Sequence, residues 1–256
     1  MKNKDCTILV CSCDSYRDIE GPFIALWRKY WPDCPFESVL LSETRTTPGF
    51  DRAILAGRGK SWCEMLAFAL ESLSTPYVIM LMNDYLLSSR VDTPAVLRRI
   101  DDARRLGAAS LRLVPNPPGK TPWQGSDLFE MPKNTAYCVS CQVTIWRRDF
   151  LLELARGNSS AWEFERCGSF QTAQQKRPLL VTGQCEFHYV DSLHKGYWER
   201  KGLALCEANG VEVDAASRTL PPISCRIREA FKAFCYAVFP VTQLVKLQNF
   251  LTSRTR

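Results

Sequence analysis

The sequence predicts an α/β protein, a single Rossmann-type domain around a mostly parallel central sheet, followed by a C-terminal amphipathic helical tail. The strongest observation is the stretch Tyr77–Leu87, which starts as an unbroken apolar run of strand length. Such a run is typical of a strand buried on both faces of a parallel sheet. The second observation is that the chain begins with the order strand, helix, strand, as doubly wound sheets do. The two observations together predict that Tyr77–Leu87 begins with the central strand, which ends where Asn83-Asp84 follows.

The first part of the chain is predicted to contain a strand, a helix and a second strand, at Thr7–Cys13, Phe23–Tyr30 and Ser38–Ser42. Pro22 favours a helix start there, because proline is tolerated in the first turn of a helix. Residues 44–60 are rich in Thr, Gly, Arg and Pro and have no periodicity. We therefore expect them to form a long loop over the edge of the sheet, where loops often carry function.

The middle of the chain continues the alternation of helices and strands. Ser61 is a predicted helix N-cap, because it precedes apolar residues at helical spacing. Another helix is expected to open at Thr93-Pro94 and to close at Gly107, which suits the position after a helix end. Ser110–Val114 is then predicted to be a strand.

The last part of the domain is predicted from shorter patterns. We expect a loop at Pro115–Lys133, a strand at Tyr137–Trp146 and a helix at Arg147–Ala155. A short helix follows at Ala161–Arg166 and is broken at Gly168. The last two elements are a strand at Leu179–Val181 and a helix at Gly196–Gly210. Ser159 and Ser160 are the predicted caps of the short helix.

Composition bounds the class of protein. The sequence is 46% hydrophobic and 23% charged, which argues against disorder. Its net charge of +6 is spread along the chain rather than clustered with aromatic residues, so we expect no nucleic-acid partner. Many of the twelve cysteines lie in apolar runs, as buried thiols of a reducing cytoplasm do. No signal peptide or stretch of transmembrane length is recognised, so a cytoplasmic location is expected.

The C-terminal segment differs from the rest. We divide the chain into a main domain, residues 1–222, and a tail, residues 223–256, in which Phe, Val and Leu form an apolar stripe flanked by Arg and Lys. This pattern fits an interfacial helix on a membrane surface. It fits equally a helix that packs on the domain or against another copy of the chain. The oligomeric state does not follow from the pattern.

Polar residues follow the central strand directly. Open α/β sheets bind ligands at the carboxyl ends of their strands, so Asp84 is the first candidate for a functional role. A carboxylate there is suited to a divalent cation, Mg²⁺ or Mn²⁺, that bridges nucleotide phosphates, and the amide oxygen of Asn83 is a further possible ligand. The alternative is that Asp84 is a solvated turn residue.

Four other residues are chemical candidates. Glu163 and Glu165 are two residues apart on a helix, so only one of them can face a cleft and act as a general base. The alternative for this pair is a solvated helix face. His188 is a candidate metal ligand or phosphate contact, or else a packing residue, and Lys195 is suited to contact phosphate.

Several motifs are absent from the sequence. It has no Walker A loop, no Gly-x-Gly-x-x-Gly after the first strand, no Gly-x-Ser-x-Gly and no His-Glu-x-x-His. These absences exclude P-loop NTPases, nucleotide-linked dehydrogenases, α/β-hydrolases and zincins.

The chain resembles bacterial GT-A-type glycosyltransferases of lipopolysaccharide, O-antigen and capsule biosynthesis. The resemblance covers roughly residues 7–210 and rests on the order of six short motifs: Ser12–Tyr16, Phe23–Pro32 with Pro35, Ser61–Trp62, Tyr77–Leu87, Ser160–Glu165 with Gly168-Ser169, and Lys195–Trp198. It implies a GT-A-like fold and transfer of a sugar from a nucleotide-sugar donor to a lipid-linked or polysaccharide acceptor. We expect nucleotide contacts from six residues, Ser12, Asp14, Tyr16, Glu43, Trp62 and Lys195.

One departure from the family pattern bears on metal binding. Such sequences usually carry two acids at the end of the central strand, whereas this chain has Asn83-Asp84. With one formal charge fewer, the site should hold a cation less tightly. The alternative function is therefore a catalytically inactive GT-A-like scaffold at the membrane. A sugar-1-phosphate nucleotidyltransferase is disfavoured, because no Gly-rich basic loop follows the first strand.

Overall fold

The computed structural model describes residues 2–214, 217–218 and 220. The described part contains these strands: β1 (Cys6–Cys11), β2 (Glu37–Ser42), β3 (Arg52–Leu55), β4 (Tyr77–Met82), β5 (Tyr85–Leu87), β6 (Ser110–Arg112), β7 (Thr121–Pro122), β8 (Leu128–Glu130), β9 (Thr144–Arg147), β10 (Leu179–Thr182), β11 (Tyr189–Asp191), β12 (Leu193–His194) and β13 (Tyr197–Trp198). Its helices are α1 (Arg17–Tyr30), α2 (Trp62–Ser72), α3 (Thr93–Arg105), α4 (Arg148–Arg156), α5 (Ala161–Gln171) and α6 (Arg200–Ala208).

Nine strands form one sheet in the order β3-β2-β1-β4-β9-β6-β10-β8-β7. The pairings make every strand run in the same direction except β8 and β9. The predicted class is confirmed, because the protein is mixed α/β with a large, mostly parallel central sheet. The carboxyl ends of β1, β2, β4, β6 and β10 meet at one edge.

The central strands are buried on both faces, as their apolar runs predict. Successive side chains of a strand point to opposite faces. Ile79 therefore packs in a core with α1, α3 and α6, whereas Val78 packs in a second core with α2, α4 and α5. Both residues are fully buried. Helices thus cover both faces of the sheet, and only its edges are free to form a site.

Two predicted helix starts are confirmed by their caps. Ser61 accepts the Glu64 N–H and the Glu64 carboxylate accepts the Ser61 N–H, which completes a capping box at α2. Ser160 and Glu163 form the same arrangement at α5. The two caps fix the start of each helix at the edge of the sheet where β1 and β4 end.

Two predicted loops contain strands. Residues 44–60 include β3, which pairs in parallel with β2 at the edge of the sheet. Residues 115–133 include β7 and β8, which pair with each other as a hairpin. Each of these strands is two to four residues long. Segments this short carry too few residues to display a period, so the prediction of uninterrupted loops was wrong.

Four predicted boundaries also differ. The strand expected over Tyr137–Trp146 is regular only from Thr144. Helix α1 begins at Arg17, six residues before the predicted start, with Pro22 inside it. Helix α5 continues through Gly168, where a Cβ would approach Val139 to 3.3 Å, so this glycine permits close packing rather than ending the helix. The helix predicted from Gly196 begins at Arg200, because the hairpin β12–β13 precedes it.

The predicted tail, residues 223–256, lies outside the described residues. Within the described part, no helix is both long enough and apolar enough to cross a membrane. Every cysteine of the described part is a free thiol.

Candidate active site

A cavity of ≈ 380 Å³ lies at the sheet edge where β1 and β4 end. Its walls combine four aromatic residues with three acids, namely Tyr16, Trp62, Tyr85 and Trp162 with Asp84, Glu165 and Asp191. Concave sites with apolar walls and a few convergent polar groups are where ligands usually bind. Three segments line the cavity: the loop after β1, the turn after β4 and the start of α5.

Residues 43–60 do not line the cavity but form hydrogen bonds to the loop after β1, which does. The Glu43 carboxylate accepts the N–H of Asp14 at 2.9 Å. Asp14 in turn accepts the Thr44 hydroxyl at 2.6 Å and backbone N–H at 3.1 Å, and these bonds, with the Arg58 charge, lower its pKa. Asp14 and Glu43 therefore hold two loops together, which leaves their predicted contact with nucleotide untested.

Asp84 is the most perturbed acid whose carboxylate lines the cavity. Loss of solvent and the neighbouring charge of Asp191 raise its pKa from 3.8 to about 7. Its Oδ1 is buried and has no hydrogen-bond partner among the residues that the structure describes. A buried, unpartnered carboxylate oxygen is costly, and such atoms concentrate at functional sites.

The second acid beside Asp84 comes from a distant part of the chain. Strand β11 pairs with β5 in antiparallel register, with Asp191 opposite Tyr85. Ser192 fixes this junction, because its N–H and its hydroxyl both donate to the carbonyl oxygen of Asp84, at 2.9 and 2.7 Å. Asp84 and Asp191 thus line one cavity, and the charge of Asp191 acts on Asp84.

Asn83 has a structural partner set that an aspartate could not satisfy. It is 2% exposed, and its Nδ2 donates to the Ser12 hydroxyl at 2.9 Å and to the carbonyl oxygen of Tyr16 at 3.1 Å. The Ser12 hydroxyl donates to the buried Glu20 carboxylate at 2.6 Å, and Thr47 donates to the same carboxylate. Asn83 thereby shapes the loop after β1, which includes the predicted nucleotide contacts Ser12 and Tyr16.

Tyr16 is held in the cavity wall by Arg218. The guanidinium lies over the Tyr16 ring, 4.4 Å from its centroid. Arg218 also donates to both carboxylate oxygens of Asp18 at 2.7 Å, to the Gly196 carbonyl oxygen at 3.2 Å and to the Ser15 carbonyl oxygen. These contacts join the loop after β1 to the turn between β12 and β13, so one arginine connects two walls of the site.

The two candidate bases have different environments. Glu163 belongs to the capping box of α5, where its Oε2 accepts the N–H groups of Ser159 and Ser160 at 3.1 and 3.2 Å. These bonds lower its pKa, and it does not line the cavity. Glu165 does line the cavity, and loss of solvent raises its pKa. Its Oε1 accepts the Cys141 N–H at 2.9 Å, which fixes the carboxylate.

The remaining predicted residues divide between the cavity and the surface. Trp62 lines the cavity and packs edge-on against Phe164, with ring centroids 5.5 Å apart. Lys195 also lines it, at a turn position with a φ of 53°. His188 is exposed and lies outside the cavity wall, so its candidacy as a metal ligand gains no support from its position.

This donor set would hold a divalent cation only together with the phosphate oxygens of a bound nucleotide and with water. In the described part, no group of three or more His, Cys, Asp or Glu side chains is arranged to hold a metal ion. Mg²⁺ in phosphate sites is commonly held by one or two carboxylates, with phosphate oxygens and water completing the shell. Asp84, with its unpartnered oxygen, and Asp191 fit such a site.

Sequence reasoning missed Asp191 and Arg218. No local pattern marks Asp191, and its proximity to Asp84 depends on the pairing of β5 with β11. Arg218 lies 200 residues from its partner Asp18 and belongs to no sequence motif. A salt bridge of this separation leaves no signal in a single sequence.

No protein-family model matches the sequence, and a search of curated proteins finds no match. Similarity is found among solved structures. S. aureus TarS 1–349 aligns with a TM-score of 0.45 and 12% identity over 74% of this chain, which spans only 59% of that chain. A UDP-glucose pyrophosphorylase complexed with UDP-glucose aligns with a TM-score of 0.49 and 11% identity, over 82% of this chain and 98% of that chain.

The 2-C-methyl-D-erythritol 4-phosphate cytidylyltransferase from Thermus thermophilus aligns with a TM-score of 0.45 and 15% identity, over 81% of this chain and 98% of that chain. At these identities the similarity concerns the fold alone.

Proposed function

We propose that the protein is a glycosyltransferase that moves a sugar from a nucleotide-sugar donor to a lipid-linked or polysaccharide acceptor in bacterial surface-glycan assembly. The observation that carries this proposal is the pairing of two different acids in one cavity. Asp84 has a buried oxygen without a partner in the described part, and Glu165 is fixed by the Cys141 N–H. The motif order from Ser12 to Trp198 supports the donor class.

The residues have distinct roles in this proposal. Tyr16, Trp62 and Lys195 contact the nucleotide, and Asp84 with Asp191 holds the cation of the diphosphate. When bound, that cation neutralises the charge that develops on the departing diphosphate. Glu165 accepts the proton of the attacking hydroxyl as a general base, because its raised pKa makes it a better proton acceptor than a solvated glutamate.

The transfer is a single displacement at the anomeric carbon of the donor sugar. The acceptor hydroxyl oxygen forms a bond to the anomeric carbon of the donor sugar, and the bond from that carbon to the phosphate oxygen breaks. The nucleoside diphosphate leaves with the electron pair, and the hydroxyl proton moves to Glu165. This course inverts the configuration at the anomeric carbon. Residues 223–256, through their basic amphipathic pattern, bring the enzyme to the cytoplasmic face of the membrane in this proposal.

Asn83 is weaker support for an inactive scaffold than its sequence suggests. Its amide donates to Ser12 and Tyr16, and this structural use of Asn83 supports an asparagine here without loss of activity. A nucleotidyltransferase remains the competing enzyme class. It would use a nucleoside triphosphate, whereas a glycosyltransferase uses a nucleotide sugar.

A thermal-shift screen of the purified protein tests the proposal. The ligands are UDP-, GDP-, CMP- and dTDP-sugars together with UTP and CTP, each with Mn²⁺ and with EDTA. We expect one nucleotide sugar to raise the melting temperature in Mn²⁺, and Asp84→Ala to abolish the gain. A shift by a triphosphate alone would favour a nucleotidyltransferase. The absence of a shift with every ligand would contradict the proposal and favour the scaffold.

A further inference from the structure

Trp162 is the most exposed large aromatic residue of the described part, at 64%, yet it lines the cavity. It is the second residue of α5 and lies between Ser160 and Glu163, the two members of the capping box. Its backbone is therefore held in place while its ring is left largely uncovered. An uncovered indole at the mouth of a polar cavity offers a flat apolar surface to a ligand.

Glu165 lies one turn after Trp162 and lines the same cavity. Residues three apart on a helix share a face, so the ring and the carboxylate are neighbours in space. The ring is exposed at the mouth, whereas the carboxylate lies deeper and is bonded to the Cys141 N–H at 2.9 Å. The same helix thus presents an apolar plane and, next to it, a fixed hydrogen-bond acceptor.

This combination suits a pyranose ring. One face of many pyranoses is a patch of C–H groups that packs on an aromatic plane, while the hydroxyls at the rim donate to carboxylates. A phosphate group suits the position beside the ring less, because the neighbouring Glu165 carboxylate would repel it. An acyl chain suits it less as well, because it would leave these polar groups without partners.

We propose that Trp162 and Glu165 form the acceptor subsite, and that the acceptor presents a terminal pyranose rather than a lipid phosphate. The sugar packs on the Trp162 ring and directs its attacking hydroxyl to Glu165. This inference rests on the proposed function and narrows its acceptor to the saccharide class.

The test measures binding of the full chain to an array of immobilised pyranosyl glycans, with the nucleotide-sugar thermal shift run in parallel. The variants are Trp162→Ala and Trp162→Phe. The control is Phe170→Ala, because Phe170 is 55% exposed on the same helix but does not line the cavity. We expect Trp162→Ala to weaken glycan binding about tenfold, and Trp162→Phe to stay within about threefold of the unaltered protein, since a smaller ring keeps most of the contact.

The nucleotide-sugar shift should be unchanged in all three variants. Unaltered glycan binding by Trp162→Ala would overturn the subsite, as would the absence of glycan binding by the unaltered protein. Loss of the nucleotide-sugar shift in Trp162→Ala would also overturn it, because the ring would then serve the donor. If no nucleotide shifts the unaltered protein but glycan binding depends on Trp162, the saccharide subsite stands and the proposed function fails.

Discussion

Asp84 and Asp191 belong to one cavity wall because Ser192 donates two hydrogen bonds to the carbonyl oxygen of Asp84. The contact pins β11 to β5 and brings a second negative charge beside a carboxylate that has already lost solvent. The pKa of Asp84 rises to about 7 as a result. Ionisation of Asp84 is therefore unfavourable in the folded protein unless a cation binds beside it.

The raised pKa of Asp84 predicts that the stability of the protein depends on pH. Asp84 has an ordinary pKa of 3.8 and a folded pKa of about 7, so between these values the folded state binds more protons than the unfolded state. Stability from this group is therefore lost as pH rises from about 4 to about 7, and complete ionisation costs about 4 kcal/mol. Asp84→Asn should raise the free energy of unfolding at pH 8, and should raise it several-fold less at pH 4.5.

Urea denaturation of the unaltered protein and Asp84→Asn at the two pH values, in EDTA, measures this difference. Asp191→Asn is the companion variant, since removing its charge should lower the pKa of Asp84 and recover part of the stability at pH 8. Equal stability differences for Asp84→Asn at both pH values would contradict the assignment of a raised pKa.

Asn83 separates a structural role from a degraded metal motif. Asn83→Ala should cost about 2 kcal/mol of stability, because the Ser12 and Tyr16 bonds are lost at a buried position. Asn83→Asp should cost about 1 kcal/mol more, because a carboxylate cannot donate to the Tyr16 carbonyl oxygen and adds a buried charge. Chemical denaturation gives both values. If Asn83→Asp proved as stable as the unaltered protein and bound Mn²⁺ and nucleotide more tightly, Asn83 would be a weakened metal ligand instead.

Arg218 is expected to position the loop after β1, which carries the proposed nucleotide contact Tyr16. Arg218→Ala removes the guanidinium over Tyr16 and the bidentate bond to Asp18. We expect the dissociation constant of the donor to rise about tenfold. Arg218→Lys should recover little, because an ammonium cannot form the two parallel bonds.

The matched control for Arg218 is Arg58→Ala. The Arg58 side chain is 73% exposed, and its Nη2 lies 3.8 Å from Oδ2 of Asp14. Asp14 belongs to the loop after β1, which Arg218 also contacts. Exposed ion pairs contribute little, so this variant should bind the donor normally. Calorimetric titration of both variants decides the matter. A similar loss of affinity in each would mean that general positive charge, rather than the Arg218 contacts, governs binding.

The sequence predicts the framework of the fold well and the site only in part. The central strand and the caps at Ser61 and Ser160 are visible because their signals are local: an apolar run, or a hydroxyl residue three positions before a glutamate. Strands such as β3 are too short to show a period. The pairing of β5 with β11 joins segments about a hundred residues apart, so Asp191 cannot be placed beside Asp84 from local patterns.

The choice between Glu163 and Glu165 shows the same division. Their spacing predicts that only one faces a cleft, and the structure places Glu165 there. Both residues follow Ser160 within one and a half turns, yet the capping box occupies the carboxylate of Glu163. A cap of this type is recognisable from the spacing of Ser160 and Glu163, so a sequence signal was present for the member of the pair that does not line the cavity.

Turnover by matched glutamine variants tests the central claim most directly. Nucleoside diphosphate release from the donor identified by thermal shift would be measured with a mixture of pyranosyl acceptors, for the unaltered protein, Glu165→Gln and Glu163→Gln. Glutamine preserves the capping box, so Glu163→Gln should remain fully active, whereas Glu165→Gln should lose at least about 100-fold in rate through loss of its general base. Equal rates for Glu165→Gln and the unaltered protein, or donor binding without any turnover, would contradict the account.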